Sequence, residues 1–103
     1  MKRLLHDGLD FDQITVADPD GSGEIILVQT DGQVQAYRNS CPHVGVGLDY
    51  GDGHCLLEPG VLVCAMHGAR FEATTGLCTD GPCRGQHLTR VPVEVVDGRI
   101  ELA

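Results

Sequence analysis

The sequence is poor in the residues that build large cores, and it lacks a long apolar run. Its 103 residues include no Trp, two Tyr and two Phe. So few aromatics predict a modest core. No apolar run approaches the length of a membrane span, and the start, MKRLLHD, lacks the apolar segment of a signal peptide. The chain therefore predicts one small domain, residues 1–103, without a membrane partner.

Positive charge is also scarce. Seven Lys and Arg face fifteen Asp and Glu, which gives a net charge of −8. Such a surface repels nucleic acids and anionic membranes and attracts a basic protein partner, so we expect no nucleic-acid partner. Five cysteines, an odd number, disfavour a disulfide framework. Together with the missing signal peptide, this predicts a cytoplasmic protein whose thiols stay reduced.

Two short cysteine–histidine pairs dominate what is present. Cys41 and His43 form a C-x-H pair, Cys64 and His67 form a C-x-x-H pair, and twenty residues separate the two. Thiolates and neutral imidazoles are strong ligands for zinc and iron. Zinc fingers usually use C-x-x-C with H-x3–5-H instead. One sulfur and one nitrogen from each pair suit a site with two unlike metal ions.

The second pair begins a longer motif, Cys64-Ala65-Met66-His67-Gly68-Ala69-Arg70-Phe71. It is similar to the C-x-x-H-G-x-x-F/Y loop of Rieske domains. Thr75-Gly76 and Gly81-Pro82 follow where that family has a glycine turn and a proline loop that covers its cluster. From Tyr37 to the C-terminus the chain resembles a Rieske domain.

The resemblance implies one Rieske-type 2Fe–2S cluster per chain. In the family, two cysteines bind one iron and two histidines bind the other. The matching residues here are Cys41 and Cys64 for the first iron, and His43 and His67 for the second. Neutral imidazoles raise the reduction potential relative to an all-cysteine cluster.

Residues around the ligands imply a low potential within the Rieske class. High-potential members carry a serine and a tyrosine that donate hydrogen bonds to sulfur, and the matching positions are Ala69 and Phe71. They also carry a disulfide between the cluster loops, whose positions are Val46 and Met66 here. We therefore predict a potential near the negative end of the Rieske range of about −150 to +300 mV. Backbone amides are expected to donate hydrogen bonds to the cluster sulfurs, and the candidates are Val44, Gly45, Gly47, Gly68 and Ala69. The side chains of Met66 and Pro82 are expected to shield the cluster from water.

Strand patterns and turn signals cover most of the chain, and no stretch has a helical period. Asp31-Gly32 and Asp97-Gly98 predict two-residue hairpins, and residues 18–23 predict a turn. The predicted strands are Ile14–Ala17, Glu24–Thr30, Gln33–Tyr37, Val61–Val63, Ala69–Ala73, the alternating run Val91, Val93 and Val95, and a last one with Ile100 and Leu102.

These strands predict an all-β protein, and the resemblance implies the Rieske (ISP-like) fold. Its antiparallel β-sandwich base would comprise residues 1–38 and 88–103. A cluster-binding subdomain of about residues 39–87 would be inserted between them.

Three cysteines remain outside the predicted ligand set. Cys55 follows His54 in a segment that is a few residues longer than is usual in the family, which indicates a surface insertion or, alternatively, substitute ligands. Cys78 and Cys83 flank a short loop and are either free buried thiols, as a reducing cytoplasm favours, or a disulfide.

The resemblance implies a monomeric one-electron carrier, a Rieske-type ferredoxin that passes electrons from a reductase to an oxygenase or similar enzyme. The chain contains no flavin or nucleotide motif and no 2-His-1-carboxylate iron site, so it is not expected to be an enzyme itself. The alternatives are an accessory subunit of a larger oxidoreductase, as in nitrite reductase, a redox sensor, or a structural zinc domain.

Overall fold

A computed structural model of the chain describes residues 3–19, 21, 23–30, 32–40, 56–58, 60–64, 68–81 and 83–103. The described residues contain no helix, and therefore no helix that could cross a membrane. All paired strands run antiparallel. The described part of the chain contains ten strands: β1 (Leu4–Asp7), β2 (Gln13–Ala17), β3 (Glu24–Thr30), β4 (Gln33–Arg38), β5 (Leu56–Glu58), β6 (Val61–Val63), β7 (Arg70–Glu72), β8 (Cys78–Asp80), β9 (Val93–Val96) and β10 (Arg99–Leu102).

The strands form three sheets. Both ends of the chain contribute to the first, in the order β1-β10-β9. The second, β2-β3-β4, is a meander, and the third, β5-β6-β7-β8, carries the second ligand pair's hairpin. The third sheet lies within residues 39–87, which the sequence predicts as the inserted subdomain. That division stays a prediction.

The central strand β3 is buried on both of its faces. Ile25 and Leu27 belong to the apolar cluster that includes Ile100 of the first sheet. Ile26 and Val28, on the other face, belong to the cluster of the third sheet. All four side chains are fully buried. A run of four apolar residues suits a strand covered on both sides, whereas a half-exposed strand would alternate.

The strand pairs on either side of the two predicted hairpin turns are present, whereas Asp20, Ser22 and Asp31 of the predicted turns lie outside the described residues. Val96 pairs with Arg99 across Asp97 and Gly98, whose φ angles are 52° and 76°, as a type I′ hairpin requires. Thr30 pairs with Gln33 across the other two-residue connection. Turn signals in the sequence therefore set these strand registers.

The all-β prediction is confirmed, and each predicted strand is found within a few residues. Ala69–Ala73 is one residue too long at each end, since β7 is Arg70–Glu72. Three strands were not predicted: β1, β5 and β8. They are three or four residues long, as are the predicted β6, β7, β9 and β10, but their residues show neither an alternating pattern nor a run of β-branched residues, so their pairing partners decide their conformation.

Candidate metal centre

The second ligand pair begins at the end of a short hairpin. Strand β6 ends at Val63, Cys64 follows, and β7 starts at Arg70. The amide of Cys64 donates to the carbonyl of Ala69 at 2.8 Å, and the amide of Gly68 donates to the carbonyl of Cys64 at 2.8 Å. Gly68 has φ 70°, a left-handed conformation that glycine adopts readily. Two backbone bonds thus link Cys64 to Gly68 and Ala69 where the two strands meet this segment.

One of these bonds involves a predicted donor to the cluster. The Gly68 amide donates to the carbonyl of Cys64 in the structure, and its hydrogen bond to a cluster sulfur stays a prediction.

Cys64 lies in dry surroundings. Its side chain is fully buried in an apolar cluster that includes Leu62, Ala69 and Phe71. It carries a thiol, not a disulfide. A buried thiol held between two strands by backbone hydrogen bonds has the chemistry of a thiolate ligand to a buried iron. Cys64, the described member of the predicted ligand set, therefore fits a Rieske-type cluster, and the other three ligands stay predictions.

The loop after β8 lies against this hairpin. Gly81 has φ 106°, and a Cβ built on it would lie 2.8 Å from the Cα of Ala69 and 3.1 Å from its Cβ. Atoms that are not bonded do not approach this closely, so only glycine fits here. Strands β6 and β7, with Cys64 between them, are called the ligand hairpin below. The contact at Gly81 places the predicted proline loop against this hairpin.

The two positions predicted to lack hydrogen-bond donors are inside the same cluster. Ala69 and Phe71 are both fully buried, and Phe71 pairs with Leu62 and Cys78 across the sheet. A methyl group and a phenyl ring have no donor. They exclude water beside Cys64 without offering a side-chain hydrogen bond.

Tyr37 is a supporting residue that the sequence did not reveal. Its hydroxyl donates to the carbonyl of Ala73 at 2.9 Å, and it belongs to the cluster that contains Cys64. The Arg90 guanidinium lies 5.7 Å from the ring centroid and donates to Gln35 and to the carbonyl of Thr74. Burial raises the pKa of the Tyr37 hydroxyl above 10.0, and Arg90 partly offsets this. A buried tyrosine needs a partner for its hydroxyl, which was the available signal.

The last two cysteines of the chain lie side by side. Cys78 and Cys83 are buried thiols, and their Sγ atoms are 3.1 Å apart. Of the two alternatives that the sequence left open, the structure has the thiols.

Most of the other predicted site residues lie outside the described residues. These undescribed residues are Cys41, His43, Val44, Gly45, Val46, Gly47, His54, Cys55, Met66, His67 and Pro82. Among the residues that are described, no three metal-binding side chains come together.

Comparisons with known proteins agree with this geometry. The family described as "Rieske [2Fe-2S] domain" matches residues 6–96. The chain is 37% identical over 82 residues to the ferredoxin component of an alkene monooxygenase system from Xanthobacter autotrophicus (strain ATCC BAA-1158 / Py2). That alignment covers 78% of this chain and 62% of the relative, so the chain spans less than two thirds of the relative's length.

Two solved structures share the fold. The ferredoxin of carbazole 1,9a-dioxygenase from Nocardioides aromaticivorans IC177 superposes with a TM-score of 0.74 at 25% identity, covering 100% of this chain and 97% of that one. A chain from the complex of reduced oxygenase and oxidized ferredoxin in carbazole 1,9a-dioxygenase gives 0.73 at 24% identity, covering 100% of both. The fold predicted from the sequence is therefore confirmed.

Proposed function

Because this chain belongs to the Rieske [2Fe-2S] domain family, we propose that it is a one-electron carrier of the ferredoxin type. It receives an electron from a reductase and passes it to an oxygenase or a similar redox enzyme. The observation that carries this is the ligand hairpin, in which a buried Cys64 begins the C-x-x-H-G motif inside the matched segment.

Four side chains would hold the cluster: Cys41 and Cys64 on one iron, His43 and His67 on the other. The bound cluster supplies a single-electron couple. The β6–β7 turn positions Cys64, and the close approach of Gly81 to Ala69 covers the hairpin. Dry surroundings around the sulfur limit access of water and oxidants to it.

The buried Ala69 and Phe71 support a potential in the lower part of the Rieske range. Hydrogen bonds to cluster sulfurs favour the reduced state, and these two side chains cannot donate any. A carrier with such a potential suits delivery of electrons to an oxygenase better than oxidation of a quinol.

The carrier role is supported by the relatives. One is the ferredoxin component of a monooxygenase system, and a protein of the same fold forms a complex with an oxygenase. We propose that this chain likewise serves a separate catalyst and performs no catalysis itself. The net charge of −8 favours basic faces on its protein partners and disfavours nucleic acids and anionic membranes. We place the protein in the cytoplasm as a monomer, a reducing compartment in which Cys78 and Cys83 are at rest in the thiol form.

The test begins with protein purified anaerobically. We expect sulfide-to-iron absorption bands, the low average g-value of a Rieske centre after dithionite reduction, and uptake of one electron per chain. Cys64→Ser removes a predicted ligand and should abolish these signals, whereas Cys83→Ser, outside the ligand set, should retain them. A colourless protein with one zinc ion per chain would exclude the proposal.

A second measurement separates a carrier from a permanent subunit. Tagged protein from the native host, run by size exclusion, should elute as a monomer and associate only transiently with its reductase and oxygenase. A stable stoichiometric complex would instead identify an accessory subunit.

A further inference from the structure

The Cys78–Cys83 pair has no part in the proposed electron carriage. The two Sγ atoms are 3.1 Å apart, and the Cys83 thiol donates to the Cys78 sulfur. A disulfide bond is about 2.05 Å long, so the sulfurs need approach by only about 1 Å to bond.

The backbone holds this pair in place. The amide of Cys78 donates to the carbonyl of Gln86 at 2.8 Å, and the amide of Gly85 donates to the carbonyl of Cys78 at 3.0 Å. The amide of Gln86 donates to the carbonyl of Cys83 at 2.9 Å. Because these bonds already close the loop, a disulfide across it requires little further ordering of the chain.

The two cysteines differ in how they can be reached. Both side chains are only 1% exposed. Cys78 lies in strand β8 and pairs with Phe71, whereas Cys83 lies in a turn, followed by the exposed Arg84 and Gly85. Turns open locally at lower free energy than paired core strands. Cys83 is therefore the thiol that a reagent meets first, and Cys78 is placed to react with it next.

We propose that Cys78 and Cys83 are a reversible dithiol–disulfide pair, a second redox site distinct from the cluster, oxidised by low-molecular-weight disulfides such as glutathione disulfide. Deprotonated Cys83 attacks one sulfur of glutathione disulfide, forming a mixed disulfide and releasing one glutathione thiolate. Deprotonated Cys78 then attacks the Cys83 sulfur and releases the second glutathione. Two electrons pass from the protein to the glutathione disulfide, and the two thiol protons are taken up by the two glutathione products.

The bond would act on the loop that covers the ligand hairpin. Gly81 lies between the two cysteines in sequence and against Ala69 in space. The disulfide restricts the motion of this loop, so Gly81 should leave its contact with Ala69 less often in the oxidised protein. The pair itself depends only on the positions of the two thiols, and it stands whether or not the protein carries electrons.

The test uses the intact protein with its metal centre, equilibrated anaerobically in a series of glutathione buffers. Remaining thiols are alkylated with N-ethylmaleimide after denaturation and located by peptide mapping, while visible absorption records whether the metal centre survives. We expect one internal disulfide joining residues 78 and 83, formed in a single two-electron transition and reversed by dithiothreitol. The apparent melting temperature should rise on oxidation.

Single variants assign the roles. Cys78→Ser should trap a glutathione adduct on Cys83, whereas Cys83→Ser should react several-fold more slowly at Cys78. Cys55→Ser is the control with every cysteine of the proposed pair intact, and it should oxidise as the wild type does. Full alkylation of both cysteines across the buffer series, or a glutathione adduct on wild-type Cys83 without the internal disulfide, would overturn the proposal. This readout needs no electron-transfer activity, so it is separate from a failure of the proposed function.

Discussion

The hydroxyl of Tyr37 in strand β4 donates a 2.9 Å hydrogen bond to the carbonyl of Ala73, which directly follows strand β7. This bond joins the central sheet, β2-β3-β4, to the sheet β5-β6-β7-β8, in which Cys64 follows strand β6. Gly76 leaves room for the Tyr37 ring, because a Cβ at position 76 would lie 2.8 Å from the Cε1 atom of Tyr37. The support of the candidate metal centre thus depends on contacts between residues far apart in the sequence.

Removing that hydroxyl should loosen the two sheets. Tyr37→Phe leaves the buried Ala73 carbonyl without its donor, which should lower the free energy of unfolding by about 1–3 kcal/mol. Each kcal/mol corresponds to about 4–8 °C in melting temperature for a domain of this size. Thr30→Val is the matched control, because the buried Thr30 hydroxyl has no hydrogen-bond partner within the described part of the chain. Equal losses in the two variants would contradict the role of the Tyr37 bond.

The same residue should make stability depend on alkaline pH. Burial raises the pKa of the folded Tyr37 hydroxyl above the ordinary 10.0, so the unfolded chain loses this proton first. The contribution of the protonated Tyr37 hydroxyl to the free energy of unfolding is therefore complete below pH 10.0, and it is lost as the pH rises through the folded-state pKa. Urea unfolding across this range should show a steeper alkaline loss in the wild type than in Tyr37→Phe. Parallel pH profiles would exclude Tyr37 as the cause.

Two glycine substitutions separate backbone strain from close contact. Gly81→Ala and Gly85→Ala both place a side chain at positive φ, 106° and 90° respectively. Only the first meets a neighbour, the backbone of Ala69 at 2.8 Å, because nothing lies within 4 Å of a Cβ on Gly85. Gly81→Ala should cost about 1–3 kcal/mol more than Gly85→Ala, the usual penalty of overpacking.

The iron and sulfide content of the same pair of variants tests what the contact does for the site. Gly81→Ala should bind iron less completely than Gly85→Ala, because it pushes the covering loop off the ligand hairpin. Matching iron content and matching stability in both variants would show that the contact at Ala69 does not matter.

New donors beside Cys64 should raise the reduction potential. Ala69→Ser and Phe71→Tyr each add a hydroxyl inside the buried cluster of Cys64. A hydrogen bond that favours the reduced state by about 1 kcal/mol corresponds to about +40 mV in a one-electron couple. Potentials from an EPR-monitored redox titration provide the measurement.

Ala36→Ser is the control for these potentials. It adds a buried hydroxyl in the other apolar cluster, on the opposite side of the central sheet. It should lower stability and leave the potential unchanged. A shift in this control as large as in Ala69→Ser would mean that general destabilisation, and not a local donor, moves the potential.

Several features were predictable because they are encoded locally. The spacing of Cys41, His43, Cys64 and His67 predicted the family, which the comparison over residues 6–96 confirmed. Turn residues such as Asp97-Gly98 predicted hairpins because few residues tolerate positive φ. The ligand assignment itself stays a prediction, since Cys64 is the one member of the set among the described residues.

Other features were decided only when distant segments met. Strands β1, β5 and β8 show neither alternation nor a run of β-branched residues, and their pairing partners determine them. The burial of Ile25–Val28 on both faces, the approach of Gly81 to Ala69 and the bond from Tyr37 to Ala73 all join parts of the chain that local patterns treat separately. The sequence by itself thus determined the hairpin turns, most of the strands and the type of metal centre. Tertiary packing decided which buried atoms touch, because burial and close contact depend on the whole chain and not on neighbouring residues.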